Sequence, residues 1–332
     1  MLALGFLSQA HGVQASISAG DLVIREFRLR GPASTSDEYI VIHNRTSADI
    51  TVASFDASAG FSVGSSSGGA IFTIPEGTVI KAHGHYLGVN TNGFSLGVPY
   101  DASWTTDVSD GLGLALFDSS NPATFGSTAT TIDAVGIGSS AAPYLEGTVL
   151  PSVTAAGEYA WVRKAPARVV QDTNSSASDF VLVATNGGAY SSIQSILGAP
   201  SPANSANQDI SPGLGIGLIE PSAAADVSPN RVFLTSPSDR VELRRRITNN
   251  TGASVPALRL RVVEVSTLNS PGYATPTQAD LRPMTSGSAS IATTSIGVTS
   301  VAGLTLLTPP TQAIGGGWNS ILAIPGGGLA NG

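Results

Sequence analysis

"SDEYIVIHN", Ser36 to Asn44, sets two adjacent carboxylates, Asp37 and Glu38, directly before an alternating apolar run. Neighbouring carboxylates invite an acid–base reading. A general acid and its base must converge on one substrate, whereas consecutive strand residues point to opposite faces. Tyr39 to Asn44 has the two-residue period and β-branched content of a strand. Asp37 and Glu38 are therefore expected to diverge and to serve the entry of that strand.

Further runs of the same kind lie on both sides: "LVIREFRLR" (Leu22 to Arg30), "HYLGVN" (His85 to Asn90), "GLALFD" (Gly113 to Asp118), "TIDAVGIG" (Thr131 to Gly138), "YAWVRK" (Tyr159 to Lys164) and "FVLVAT" (Phe180 to Thr185). Between them stand turn formers such as Gly31-Pro32, Asn92-Gly93, Asp110-Gly111 and Asn186-Gly187-Gly188. Seven strands at this spacing predict a β-sandwich or barrel. The Gly/Ser-rich stretch from Phe55 to Ile71 reads as a loop.

At 332 residues the chain is longer than one core usually sustains, which predicts two domains. Its 42% hydrophobic and 12% charged composition, with 38 Gly and 20 Pro, suits short strands and many turns. A net charge of −7 argues against a general nucleic-acid or anionic-membrane surface. The absence of cysteine removes disulfides, thiolate metal sites and a cysteine nucleophile together. Residues 1–15 hold a short apolar stretch, Leu2 to Leu7, and a small-x-small pattern at Val13-Gln14-Ala15, and read as a clipped signal peptide without the usual positive start. No run approaches the ~20 apolar residues that span a bilayer.

Residues 205–215 lie in a Pro- and Ser-rich stretch without apolar period, read as a linker between a domain at 16–204 and another at 216–332. In the second part, Val241 to Ile247 and Leu258 to Val265 alternate arginines with aliphatics. This places the arginines outside and the aliphatics inside, with room for the two runs to pair as a long hairpin. The close, "ILAIPGGGLANG", is a glycine-rich turn where a sandwich normally has a strand. The second domain is accordingly expected to lack its final strand or two.

The stretches "VIREFRLRGPASTSDEYIVIHNRTSADITV", "FTIPEGTVIKAHGHYLGV", "SDGLGLALFD", "IDAVGIG", "YLEGTVLP", "VRKAPARVVQDTNSSASDFVLV" and "LGAPSPAN" follow one another in an order that resembles the lamin tail domain, an immunoglobulin-like sandwich also found in exported bacterial proteins. The resemblance covers about residues 21–204 and implies that Asp-Glu precedes a strand. It departs at Val41, where the family commonly has an acidic residue, so the face carrying Tyr39, Val41 and His43 is unusually apolar. "RVELRRRITNNTG", "LRLRVVEVSTL" and "ADLRPMTS" resemble, more loosely, an additional immunoglobulin-type module.

Candidate sites are few. Asp172, Asn174 and Asp179 supply hard oxygen ligands that suit Ca²⁺, and the same residue types also build turns on their own backbone. No other cofactor is expected. His83 and His85, two apart, would share a strand face and begin a zinc site if a distant carboxylate joined them. Arg244, Arg246, Arg259 and Arg261 form a stripe for an anionic ligand, or pair across strands with Glu242 and Glu264. "GFSVG" and "GSSSG" match the nucleophile-elbow spacing at Ser62 and Ser66 but lack a strand–helix context. Asn44, Asn174 and Asn249 stand in glycosylation sequons. The resulting expectation is an all-β protein of two immunoglobulin-like sandwiches, non-catalytic, secreted or at the cell surface, with a structural role through contacts to other subunits or itself. The alternative is an extracellular polysaccharide- or nucleic-acid-binding module, specific nucleic-acid recognition being disfavoured by the charge.

Overall fold

The computed structural model describes residues 17–165, 169–185, 187–198, 200–209, 213–235, 240–255, 258–261, 284–306, 321–323 and 328–332. The expected signal peptide lies outside them. The fold is all-β. The strands of the N-terminal part are β1 (Leu22–Arg28), β2 (Tyr39–Asn44), β3 (Ile50–Thr51), β4 (Gly60–Ser65), β5 (Ala70–Pro75), β6 (Val79–Ile80), β7 (His85–Asn90), β8 (Ala102–Trp104), β9 (Leu114–Phe117), β10 (Thr131–Val135), β11 (Tyr159–Arg163), β12 (Phe180–Ala184), β13 (Ala189–Tyr190), β14 (Ile193–Gln194) and β15 (Ile196–Leu197). Each of the seven predicted strands is present. Among the described residues the only helical elements are the turns Pro122–Thr124 and Ser176–Asp179.

A seven-stranded sheet in the order β15-β12-β11-β1-β2-β7-β8 faces a four-stranded sheet, β10-β9-β4-β5. Between them lies one core built from Ile24, Phe27, Ile40, Ile42, Phe61, Val63, Phe72, Ile74, Leu114, Leu116 and Trp161. The β4–β5 hairpin corrects the sequence reading, which took this region for a loop. Phe61 and Val63 alternate into the core, and Ser62, fully buried, satisfies its hydroxyl on Thr73 Oγ1 at 2.7 Å. Glycine masks the period here but is required at the sheet contact. A Cβ on Gly88 of β7 would come within 2.5 Å of the Phe72 ring, which itself stacks on Trp104 at 5.7 Å.

β2 is buried along its whole length, so its outer face is covered as well. Tyr39, Val41, Leu87, Val89, Leu96 and Ala160 form a second cluster, against which Phe94, Val98 and Val162 pack. The apolar outer face noted at Val41 is thus roofed by the β7–β8 connection. Beside it runs the segment 200–209. The Ser201 hydroxyl donates to Glu26 Oε2 at 2.8 Å, Ser205 N–H to Asp101 Oδ2 at 2.8 Å, and Asp209 N–H to the His83 carbonyl at 2.8 Å. Residues 205–209, read as linker, therefore lie against the N-terminal sandwich.

The C-terminal strands are β16 (Leu214–Leu218), β17 (Arg231–Leu234), β18 (Arg240–Leu243), β19 (Arg245–Asn249), β20 (Arg259–Arg261), β21 (Ala289–Thr293), β22 (Gly297–Val301), β23 (Thr305–Leu306) and β24 (Ile321–Ala323). They pair as β16-β19, β17-β18, β21-β22 and β20-β24-β23. Among the described residues the expected hairpin between the two arginine-bearing runs is not formed, residues 262–265 of the second run lying outside them: β18 pairs β17, β19 pairs β16 and β20 pairs β24. Nor are the aliphatics of the first run inside, since Val241 and Leu243 are 45% and 65% exposed. Alternation assigned faces to one long strand, whereas Val241 to Ile247 is split at Arg244 between two sheets.

One corner occurs twice. Asn44 Nδ2 donates to the Ala48 carbonyl at 2.8 Å, while Asn44 Oδ1 accepts from Thr46 N–H (2.9 Å) and Thr46 Oγ1 (2.8 Å). Asn249 Nδ2 donates to the Ala253 carbonyl at 2.8 Å, and Asn249 Oδ1 accepts from Thr251 N–H (3.1 Å) and Thr251 Oγ1 (2.7 Å). Six residues beyond each asparagine, Ile50 pairs with Ile80 and Val255 with Leu329, and the two asparagine amides also reach those partners' carbonyls. By this correspondence β19 matches β2, and β16, its antiparallel partner, matches β1. Both asparagines are sequon positions, and both side chains are buried and consumed by the corner.

Candidate functional site

Asp37 and Glu38 part company at the mouth of β2. Asp37 turns to Arg28 Nη2 and takes Ser95 N–H at 3.0 Å and Ser95 Oγ at 2.7 Å. Glu38 accepts from Val108 N–H (2.8 Å), Asn90 Nδ2 (2.7 Å) and Trp104 Nε1 (3.1 Å). Burial pushes Glu38 up to about 7 against these three hydrogen bonds, which favour its ionised form. Each carboxylate ties a loop to the start of a strand.

The calcium candidates gather around a guanidinium. Arg163, 1% exposed, places Nη2 2.8 and 2.9 Å from the two oxygens of Asp133, and Nη1 3.3 Å from Asp179 and 3.4 Å from Asp172. Arg45 Nη1 holds the other oxygen of Asp172 at 3.1 Å. Backbone pairing of β1 with β11 covers Glu26–Val162 and Phe27–Trp161. Past it, the Ile24 N–H donates to Asp133 Oδ2 (2.7 Å) and the Ile24 carbonyl accepts from Arg163 Nε (3.1 Å), so side chains continue the ladder. Burial would raise Asp179, but Thr173, Gln171 and Arg163 outweigh it and hold its carboxyl below the usual range. Asn174 is exposed, in a left-handed turn at φ 53°. The arrangement supplies Asp172 and Asp179 with positive charge from arginine.

Asp133, Glu146 and Asp172 also bring carboxylate oxygens within 4.8 Å of one another. Burial, then Asp133 and Asp172, push Glu146 up to about 8. A carboxyl whose pKa is raised on folding contributes stability that is full below its unfolded value, near 4.5, and is lost as pH rises through about 8. Glu146→Gln removes this slope. Equilibrium unfolding is expected to give equal stabilities below pH 5 and an advantage to the variant at pH 9, on the order of 1 kcal/mol after solvent screening. Parallel pH profiles would refute the assignment.

The histidine pair is not the one the spacing suggested. His83 stands before β7 at φ 53°, and its backbone N–H bonds the Thr46 carbonyl. His85 instead lies opposite His43 across β2 and β7, with ring centroids 4.8 Å apart, and the distant carboxylate beside them is Asp209. His43 escapes a reading by local spacing because its partner strand lies 42 residues away.

In the arginine stripe, Arg246 is exposed, while Arg244 Nη2 bonds Glu242 at 2.7 Å. The side chains of Arg259 and Arg261 lie outside the described set. Ser66 Oγ, just past β4, donates to the Ser140 carbonyl at 2.6 Å, and Ser62 Oγ lies 2.7 Å from Thr73 Oγ1. Geometry thus defines an all-β sandwich in which Asp37, Glu38, Asp133 and Asp179 are each bonded within its own frame. Comparison with protein families, with curated proteins and with solved structures finds no match to this chain.

Proposed function

We propose that this chain is a non-catalytic structural module, exported to the cell surface, that assembles with further copies of itself by β-strand addition. The lamin-tail resemblance and the signal-like start support export. No helix among the described residues is long and apolar enough to cross a membrane. The observation that carries the assembly reading is the edge of β19. Its counterpart β2 is flanked by β1 and β7, whereas β19 pairs β16 and has no second partner among the described residues. Asn250 N–H bonds Gly213 on the β16 side, while the Asn249 carbonyl accepts from Gly332 on the other. Alternate residues present their N–H and C=O to the same edge, so Arg245 and Ile247 address the open stretch and Asn249 the end that Gly332 already bonds. Unpaired edges template strand addition. Nearby, register puts Arg231, Phe233, Val241 and Leu243 on one face of β17–β18, where Phe233 is 66% exposed.

Light scattering on the intact chain is expected to report concentration-dependent oligomers. Ile247→Pro removes one outward N–H at an edge position that tolerates proline. It should weaken self-association tenfold or more with an unchanged circular dichroism spectrum. A strict monomer at high concentration would overturn the proposal.

A further inference from the structure

Three side chains on the outer face of the large sheet converge from distant parts of the chain: His43 of β2, His85 of β7 and Asp209 of the covering segment. His43 and His85 are directly cross-strand, 2% and 5% exposed. His85 Nε2 lies 3.5 Å from Asp209 Oδ1, and His43 Nε2 lies 3.9 Å from Asp209 Oδ2. One nitrogen or oxygen from each residue falls within 4.8 Å of the other two.

The protons decide what these distances mean. His85 Nδ1 donates to the Asn207 carbonyl at 3.1 Å, so in the neutral ring Nε2 carries a bare lone pair. That lone pair faces a carboxylate oxygen, acceptor against acceptor, at 3.5 Å. His43 Nδ1 is buried with no hydrogen-bond partner, and its Nε2 is too far from Asp209 for a hydrogen bond. Burial pushes His43 down to about 2, with His85, Arg25 and His83 adding to the shift. Burial lowers His85 too, against the pull of Asp209 and the Asn207 carbonyl. The cation nearest the carboxylate is Arg25, whose Nη2 is 3.7 Å from Asp209 Oδ2 and whose Nη1 is committed to the Arg163 carbonyl.

We propose that His43, His85 and Asp209 bind one divalent transition-metal ion of the zinc class. Two neutral imidazoles select such an ion over Ca²⁺ or Mg²⁺. Ligand bonds of about 2.0–2.1 Å in a tetrahedral site set ligand atoms roughly 3.3 Å apart; His85 Nε2 already approaches this distance from Asp209 Oδ1, while His43 Nε2, 3.9 Å from the other oxygen, must close in on the ion. The Asn207 carbonyl acts from behind His85, as outer-shell acceptors do for metal-bound histidines. Asp209 is 45% exposed, giving the ion an entry path and room for water. The bound ion joins residue 209 to β2 and β7, and so fastens the covering segment to the sandwich.

The test is calorimetric titration of the metal-stripped, full-length chain with Zn²⁺, with Co²⁺ as spectroscopic probe and Ca²⁺ and Mg²⁺ as controls. One Zn²⁺ per chain, a raised melting temperature and visible cobalt bands are expected, with no response to Ca²⁺ or Mg²⁺. Asp209→Ala, an exposed change that spares the fold, should weaken Zn²⁺ binding at least tenfold. His43→Ala should do the same, and His83→Ala should leave it unchanged. Arg25→Gln, which removes a neighbouring positive charge, should tighten binding. Hydrogen exchange at 207–209 should slow on addition of Zn²⁺ in the parent chain alone. Absence of saturable binding at micromolar Zn²⁺, or equal binding by Asp209→Ala, overturns the site and leaves the strand-addition proposal standing.

Discussion

Replacing Arg163 with methionine is expected to lower the free energy of unfolding by about 3–5 kcal/mol, the usual cost of stranding buried charge. The guanidinium is shared by Asp133, Asp172 and Asp179, of which Asp133 and Asp179 are 1% and 0% exposed. It also supplies the Ile24 carbonyl and lies 4.7 Å over the Phe180 ring. Methionine retains much of the packing, so the loss isolates the charge and its hydrogen bonds. Lysine should rescue little, because a single ammonium cannot reach acceptors arranged around a planar fork. Burial already holds Asp133 at about 6 even with Arg163 opposing it. Without the arginine it takes up a proton more readily, and the deficit should shrink between pH 8 and pH 5. Denaturant unfolding followed through Trp161 fluorescence reads both effects. A loss under about 1 kcal/mol at neutral pH would contradict the proposed role.

How far the sequence could be read depended on whether a residue's reason was local. β1, β2, β7, β9, β10, β11 and β12 announce themselves because each carries its own apolar alternation. The divergence of Asp37 and Glu38 follows from strand geometry alone. β4 was hidden because Gly60, Ser62, Gly64 and Ser65 look like loop residues, and their fit becomes visible only against Phe72, Phe117 and Thr73. Segment 200–209 has no period, since it covers a sheet instead of joining one, and its role depends on what it touches. The same holds for Asp172 and Asp179. Their spacing permits calcium, and only the return of Arg163 from β11 between them reveals the charge they meet. His85 was identifiable as half of a pair; His43 required the register of β2 on β7.

A second buried arginine allows a sharper test, because its two carboxylates are not equally dependent on it. Arg28, fully buried, reaches Asp37 through Nη2, Glu158 Oε1 through Nη1 at 2.8 Å and the Asp37 carbonyl through Nε at 3.0 Å. It lies 5.4 Å over Tyr39, whose hydroxyl donates to Glu26 at 2.6 Å. Arg28→Met should destabilise by about 2–4 kcal/mol, less than Arg163→Met. The reason is that Asp37 keeps Ser95 N–H, Ser95 Oγ and the Ala33 N–H at 3.3 Å. Glu158, with its side chain 10% exposed, has Arg28 as its charged partner, and burial already raises its pKa despite that partner. The stranded charge is then chiefly that of Glu158. Glu158→Gln in the Arg28→Met background should recover a substantial part of the loss, whereas Asp37→Asn, which breaks hydrogen bonds still in use, should deepen it. A double-mutant cycle separates these couplings. Equal rescue by the two substitutions would mean that Arg28 serves both carboxylates alike, contrary to the donor counts around them.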